Sequence, residues 1–327
     1  MYPMSKEVKQ PAAAKNNMKI NLMFPGQGAQ FTGMGLDFYK EFEEYEALVH
    51  EASSVSGMDF LKILEDETSL NETENAQIAI FTMSYGIASL LSKEGIQADQ
   101  VLGLSLGEYA ALTYAGVLDS KDTFRILKRR SQLMQNAAKE KKGFLAAVSF
   151  MELDQVEEAV KNLPGVYISN YNSPKQTLVG GEENCKEEFE ERIRAQGGKK
   201  ITYLTVSGAF HTPLMETAAI HFHEYLNDFR FMNHRVSVLS NYKGDFYQGE
   251  DDYRGILTNH IDHPVRLSDC LNRLESTDED VHILIGPGKA LGSILKQNKL
   301  KGKVYAISSV EEYNITVKEL KEMHYGK

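Results

Sequence analysis

Residues 101–109 read Val-Leu-Gly-Leu-Ser-Leu-Gly-Glu-Tyr, and the core Gly103-x-Ser105-x-Gly107 has the spacing of a nucleophile elbow. No other feature of the chain constrains the fold as strongly. The serine of such a motif stands on a sharp, strained strand-to-helix turn, and the two glycines let strand and helix approach each other. A buried strand must precede it and a helix must follow. Residues 100–104 are an apolar run that suits the strand, and residues 108–115 are a run of helix formers. Ser105 is therefore a candidate nucleophile. The alternative is a structural turn carrying an inert serine.

The elbow implies an α/β core, and the rest of the chain is read against that expectation. A strand at 19–24 ends in Pro25-Gly26-Gln27-Gly28. Residues 36–50 and 78–91 are expected to be helical, the second apolar nearly all round and so buried. Residues 121–138 read as a helix rich in basic side chains. The middle changes character. Strand-like runs at 144–150, 166–169, 177–179 and 200–206 alternate with helices at 152–162 and 183–195, with a turn at Asn172-Ser173-Pro174. This β-α-β-β-α-β order over about sixty residues is ferredoxin-like. The chain then returns to α/β texture, with helices at 214–228, 252–260 and 267–274 and strands at 235–239 and 281–285. Gly286-Pro287-Gly288 leads into a helix at 290–296, as a cap or an anion cradle. There are no internal repeats. The expected fold is an α/β-hydrolase-like core with a parallel sheet, formed by residues 18–142 and 207–327. It carries an inserted ferredoxin-like subdomain at 143–206.

Composition bounds the function. With 327 residues, 42% of them hydrophobic and 25% charged, the chain can bury a sizeable core. It has no apolar run of about eighteen residues, so no membrane span is expected. Residues 1–17 lack the apolar segment of a secretory signal and read as a flexible tail. Cys185 and Cys270 are the only cysteines, which gives no disulfide framework and fits a reducing cytoplasm. A net charge of −10 argues against nucleic acid as a partner. An acidic partner would need a local basic patch. Lys128-Arg129-Arg130, then Lys139, Lys141 and Lys142, and Lys199-Lys200 are candidates, each otherwise a solvated face.

A serine nucleophile needs a base and a place for the oxyanion. Of nine histidines, His211 lies in Ala209-Phe210-His211-Thr212-Pro213, between a strand-like run and a helix, where an imidazole can face a cleft. His221 and His223 are two apart on a helix and point to different faces. His234, His260 and His263 fall in polar stretches and read by default as solvated. Gly26-Gln27-Gly28 fails the dinucleotide fingerprint, because its third glycine comes too late at Gly33. Its backbone N–H groups suit an oxyanion hole, or merely a tight turn. Arg130 is a solvated helix residue in the commonest case. Facing a cleft, it could hold a carboxylate in a two-point fork.

Taken in order, these pieces resemble the malonyl-CoA:acyl-carrier-protein transacylase family. The match runs from Phe24-Pro-Gly-Gln-Gly-Ala-Gln30 through Gly103-Leu-Ser-Leu-Gly-Glu-Tyr109, Arg130-x-x-x-Met134-Gln135 and Ala146-Ala147-Val148. It continues through Asn170-Tyr-Asn172-Ser-Pro174, Ala209-Phe-His-Thr-Pro213, His263-Pro264-Val265-Arg266 and Gly286-Pro-Gly288. The resemblance covers residues 19–300. It implies that Ser105 accepts the acyl group and that His211 is its base, oriented by backbone carbonyls of the loop 259–263. It implies an oxyanion hole at Gln27 and Leu106, and Arg130 on the malonyl carboxylate. Asn170, Phe210 and His260 are assigned to substrate binding.

The implied partners are malonyl-CoA and a phosphopantetheinylated acyl carrier protein, with no cofactor or metal, no nucleic acid and no membrane. Two departures stand out. Leu104 occupies the position where the family usually has histidine, which bears on acyl choice, and His260 stands where glutamine is common. Two other readings stay open at this point. One is an editing thioester hydrolase on the same fold. The other is a non-catalytic module that docks carrier proteins.

Overall fold

The computed structural model describes residues 18–206, 208–286 and 289–325. The expected tail at 1–17 and the Pro287-Gly288 cradle lie outside the described residues. Among the described residues, ten strands build two sheets: β1 (Ile20–Phe24), β2 (Gln100–Gly103), β3 (Gly143–Ser149), β4 (Val166–Ser173), β5 (Gln176–Glu182), β6 (Lys200–Tyr203), β7 (Ser237–Ser240), β8 (Asp245–Phe246), β9 (Val281–Ile285) and β10 (Lys303–Ile307). The larger sheet has the order β10-β9-β1-β2-β7-β8. Its strands pair in parallel except for the edge pair β7–β8. The smaller sheet, β4-β5-β3-β6, is antiparallel throughout. The fold is thus mixed α/β, with a parallel-rich sheet and a separate antiparallel one.

The central strands explain their own sequences. β1 and β9 are buried at every residue, because helices cover both faces of the parallel sheet, so they read Ile-Asn-Leu-Met-Phe and Val-His-Ile-Leu-Ile without clean alternation. The helix Thr73–Lys93 is buried on nearly all sides and packs on the helices Gly107–Tyr114 and Ser120–Glu140. Together these elements carry the elbow.

Several boundaries differ from expectation. The helix expected at 36–50 is two, Leu36–Glu41 and Glu43–Ser56, broken at an extended Phe42. The Phe42 ring stacks on Phe38 and meets Tyr313 edge-on at 5.4 Å, so aromatic packing from the far end of the chain overrides local propensity. Asn172 and Ser173 belong to β4, and the hairpin turn is Pro174-Lys175. β4 is irregular near Asn170 because it also bonds to the larger part of the chain. Tyr171 N–H donates to the Val265 carbonyl and Val265 N–H to the Ser169 carbonyl, each at 2.8 Å. The short β8, β10 and the helix Val310–Tyr325 were not anticipated from the sequence.

The elbow itself is set by close approach. A Cβ on Gly103 would lie 1.9 Å from the Gly107 carbonyl carbon, and one on Gly107 would lie 2.4 Å from the Phe24 carbonyl oxygen. Backbone cannot yield there as a side-chain tip can. Gly103→Ala is therefore expected to cost about 3 kcal/mol or more in urea unfolding. Gly249→Ala, where an added Cβ meets open space, should stay within about 0.5 kcal/mol of wild type. Equal midpoints for the two variants would contradict this account of the turn.

Candidate active site

Ser105 has a left-handed backbone, with φ of 51°, a strained position for a residue with a Cβ. One side chain holds it there. Asn241 Oδ1 accepts the Ser105 N–H at 2.6 Å, and Asn241 Nδ2 donates to the Gly103 carbonyl at 2.7 Å. His211 also has a positive φ, of 58°. The two strained turns meet, with Ser105 Oγ 2.7 Å from His211 Nε2.

The far side of the imidazole fixes its proton. His211 Nδ1 is 2.6 Å from the His260 carbonyl, which can only accept. Nδ1 therefore carries the hydrogen, and Nε2 offers its lone pair to the Ser105 hydroxyl. The carbonyl comes from the last turn of the helix Tyr253–Asp262 and not from a loop. It is free because its partner four residues on would be Pro264, which has no N–H. Burial, with the Arg130 charge next, pushes the His211 pKa down to about 3, against the pull of that carbonyl. The imidazole is thus neutral, and a proton acceptor, at physiological pH.

Pro25-Gly26-Gln27 packs directly on the elbow. The Leu104 N–H donates to the Phe24 carbonyl at 2.9 Å, and a Cβ on Gly26 would lie 2.9 Å from the Leu104 carbonyl. Among the described residues, neither the Gln27 nor the Leu106 N–H donates to a protein acceptor. Leu106 caps the helix Gly107–Tyr114, where an amide is left free by helix geometry. This arrangement can receive an oxyanion. Leu104 itself packs beside the apolar cluster of Met23, Leu102, Leu239 and Val265.

Arg130 does not take the solvated position that is commonest for such a residue. It is only 2% exposed. Its Nη2 lies 3.3 Å from Ser105 Oγ, and its Nη1 donates to Gln77 Oε1 at 2.9 Å. The guanidinium also lies over the Tyr109 ring, 5.5 Å from its centre. Its Nε has no partner, and among the described residues no carboxylate lies within ion-pair distance. A buried guanidinium with two neutral partners is an incomplete ion pair. The site has the charge and geometry to take a carboxylate beside the serine.

The other expected residues fall around this centre. Ser169 Oγ lies 2.7 Å from Asn170 Oδ1 and 2.9 Å from the Phe210 carbonyl, so buried Asn170 and Phe210 flank the His211 turn. His260 is a correction to the solvated default: it is 1% exposed and its ring stacks on His211 at 5.0 Å. His234 hydrogen-bonds to Tyr253 and His263 to the Asn259 carbonyl, both away from Ser105. In the first basic patch, Lys128 donates to the Ser56 carbonyl and Arg129 lies over Tyr225, whereas Lys139, Lys141 and Lys142 are exposed. A cavity of about 810 Å³ lies where β4 meets the larger part of the chain, lined by Tyr171, Pro174, Tyr242, Pro264 and Arg266 and by none of the side chains around Ser105.

Sequence reasoning missed Asn241, Gln77 and Glu108. Gln77 left a signal, as a fully buried amide in an apolar helix, and Glu108 follows the elbow directly. Nothing local marks Asn241, which is 136 residues from Ser105.

A family model described as an acyl transferase domain matches residues 22–313. The malonyl CoA-acyl carrier protein transacylase of Bacillus subtilis (strain 168) is 32% identical over 310 residues, covering 93% of this chain and 98% of that protein. The crystal structure of the malonyl CoA-acyl carrier protein transacylase from Clostridium perfringens superposes with a TM-score of 0.88 at 33% identity. It covers 94% of this chain and 98% of that one. A malonyl-transacylase solved in complex with a type II PKS acyl-carrier protein gives a TM-score of 0.87 at 28% identity, over 92% and 99% of the two chains.

The buried imidazoles make a pH prediction. The unfolded chain protonates His211 near its ordinary value of 6.5, and the folded chain does so only at about 3. His260 is lowered in the same direction, chiefly by burial. Both groups therefore withdraw stability as pH falls through that window. Histidine ring resonances followed by NMR should show His211 unprotonated from pH 8 down to about pH 5. A His211 midpoint near 6.5 would contradict the burial described.

Proposed function

The chain belongs to the acyl transferase domain family, and from that premise we propose that it moves a malonyl group from coenzyme A to the phosphopantetheine thiol of an acyl carrier protein, through an acyl-Ser105 intermediate. The observation that carries the malonyl reading is the buried Arg130 beside Ser105 Oγ, with no protein carboxylate to complete it.

His211 Nε2 takes the Ser105 proton as Oγ attacks the thioester carbonyl. The oxyanion is received by the N–H groups of Gln27 and Leu106, which need no reorganisation to meet it. Collapse expels the coenzyme A thiolate, which takes the proton from His211. The malonyl ester then waits with its carboxylate on Arg130, which Gln77 holds in place. The carrier thiol gives its proton to His211 and attacks the ester, and the second collapse returns a hydrogen to Ser105. A thioester enters and a thioester leaves, so the exchange is nearly isoenergetic and needs no cofactor or metal. Water has to be kept from the ester for transfer to win over hydrolysis.

An editing hydrolase for neutral acyl chains has no use for Arg130, and a docking module has none for a serine–imidazole pair at 2.7 Å. Neither alternative is favoured by the relatives' names. Residues 18–142 and 207–327 read as an α/β-hydrolase-like core and residues 143–206 as a ferredoxin-like insert. The order β4-β5-β3-β6 supports the second reading. Lys139, Lys141 and Lys142 offer the carrier protein a basic face. Fatty-acid or polyketide synthesis in the cytoplasm is the setting this chemistry serves, and no described helix is long and apolar enough to cross a membrane.

Arg130→Ala tests the reading. Truncating one partner of a buried charge-assisted pair costs on the order of 2–5 kcal/mol. Malonyl loading, followed by intact mass, should fall about 100-fold or more. Acetyl loading should hold or rise, because acetyl has no carboxylate to lose. A wild type without malonyl preference, or a variant that keeps it, would contradict the role given to Arg130.

A further inference from the structure

Behind His211 stands a second imidazole that the transfer mechanism does not use. The His260 ring lies nearly parallel to His211, 22° between planes. Neither of its ring nitrogens has a hydrogen-bond partner. Its Nδ1 is 3.4 Å from Glu108 Oε2, and the two side chains are 1% and 0% exposed. A movement of about half an ångström closes that gap to a full hydrogen bond.

Glu108 has donors on both oxygens already. Oε1 accepts the Tyr247 hydroxyl at 2.6 Å, and Oε2 accepts the Asn241 N–H at 2.9 Å. The Asn241 N–H cannot accept a proton from Oε2, the oxygen nearest His260, whereas the Tyr247 hydroxyl oxygen can accept one from Oε1. A hydrogen between the carboxyl and His260 therefore belongs either to His260 Nδ1, facing a carboxylate, or to Glu108, facing a bare Nδ1. In both states one buried proton bridges the two side chains. Through Asn241 the same carboxyl group also reaches the Ser105 turn.

We propose that His260 is a positioning residue for His211 and Glu108 the carboxyl group behind it: their shared proton fixes the His260 ring, which by stacking and through its own carbonyl holds the His211 imidazole on Ser105. This rests on reading Ser105 and His211 as nucleophile and base. Glu108 thereby links the base, through His260, to the elbow, through Asn241. The carboxyl group that His211 lacks as a direct partner sits one imidazole further back.

Charge follows from the same arrangement. Glu108 faces Tyr247, Tyr109, Cys270, Arg130 and His260. His260 faces His211, Arg130 and Glu108. Burial raises Glu108 to about 7, while the bonds from Tyr247 and Asn241 and the Arg130 field oppose the rise. Once ionised, its negative charge favours the imidazolium that forms on His211 in the transition state. Acylation should therefore accelerate as Glu108 loses its proton around neutral pH.

The test is the single-turnover rate of Ser105 acylation from malonyl-CoA, from about pH 5.5 to 9, for wild type, His260→Leu, His260→Gln and Tyr247→Phe. His260→Leu should slow acylation between about 10- and 100-fold. It should also move the acid limb to higher pH, because the carboxylate has lost a donor. His260→Gln, whose amide can donate to Glu108, should restore the rate and bring the limb back. Tyr247→Phe removes a different donor and should move the limb upward with His260 intact, an arm that stands even if His260→Leu does not fold. An unchanged rate and limb in His260→Leu overturns the proposal. So does a slowed His260→Leu with an unmoved limb and no rescue by glutamine, or an unmoved limb in Tyr247→Phe. A wild type that acylates normally while these variants are indifferent overturns this proposal alone. A wild type that does not acylate overturns the parent reading with it.

Discussion

The Ser105 backbone can be left-handed only because Gly103 and Gly107 let strand, turn and helix touch, and because Asn241 binds the turn from both sides. A left-handed residue with a Cβ costs on the order of 1–3 kcal/mol, and His211 adds a second such residue to the same site. The surroundings must over-determine both. They do so by burial in the parallel sheet, by the Phe24 and Leu104 contacts under the elbow, and by a carbonyl that proline leaves free at the end of a helix. Remove the close approach and the Ser105 hydroxyl is no longer held against His211.

Electrostatics then decide what the aimed serine can accept. Arg130 is buried with neutral partners, an arrangement that a folded chain keeps at a cost and that a bound carboxylate relieves. Burial first, and the same charge next, keep His211 deprotonated, so the proposed base and the proposed carboxylate site support each other. Glu108 balances the cation from the other side of the elbow helix. Once Glu108 is ionised, its charge opposes that of Arg130, and the His211–His260 pair stands in the field of both.

The sequence revealed the elements whose signals are local. Strand β2, the elbow and the following helix were legible within a residue or two, since turn, apolar run and helix formers adjoin. The alternation of strands and helices along residues 143–206 could be read because these elements follow one another directly. Three kinds of feature could not be read. Phe42 breaks a helix for the sake of Tyr313, a partner some 270 residues on. The burial of His260 and Arg130 depends on which helix face meets which neighbour, and a polar residue in a polar stretch carries no mark of it. Asn241 is an asparagine among many until the fold brings it under Ser105. Of the candidate site, the residues that the structure pairs as Ser105 and His211 could be read, and the groups that hold them could not.

The central claim is that Ser105, activated by His211, carries the acyl group. The direct measurement is peptide mapping by mass spectrometry after brief incubation with malonyl-CoA, repeated with holo acyl carrier protein added. The account predicts a malonyl ester on the peptide containing Ser105 and nowhere else, cleared when the carrier protein is supplied. It predicts none in Ser105→Ala and slower formation, by roughly 10²–10⁴-fold, in His211→Ala. A malonyl group on another residue, or wild-type labelling in Ser105→Ala, would contradict it.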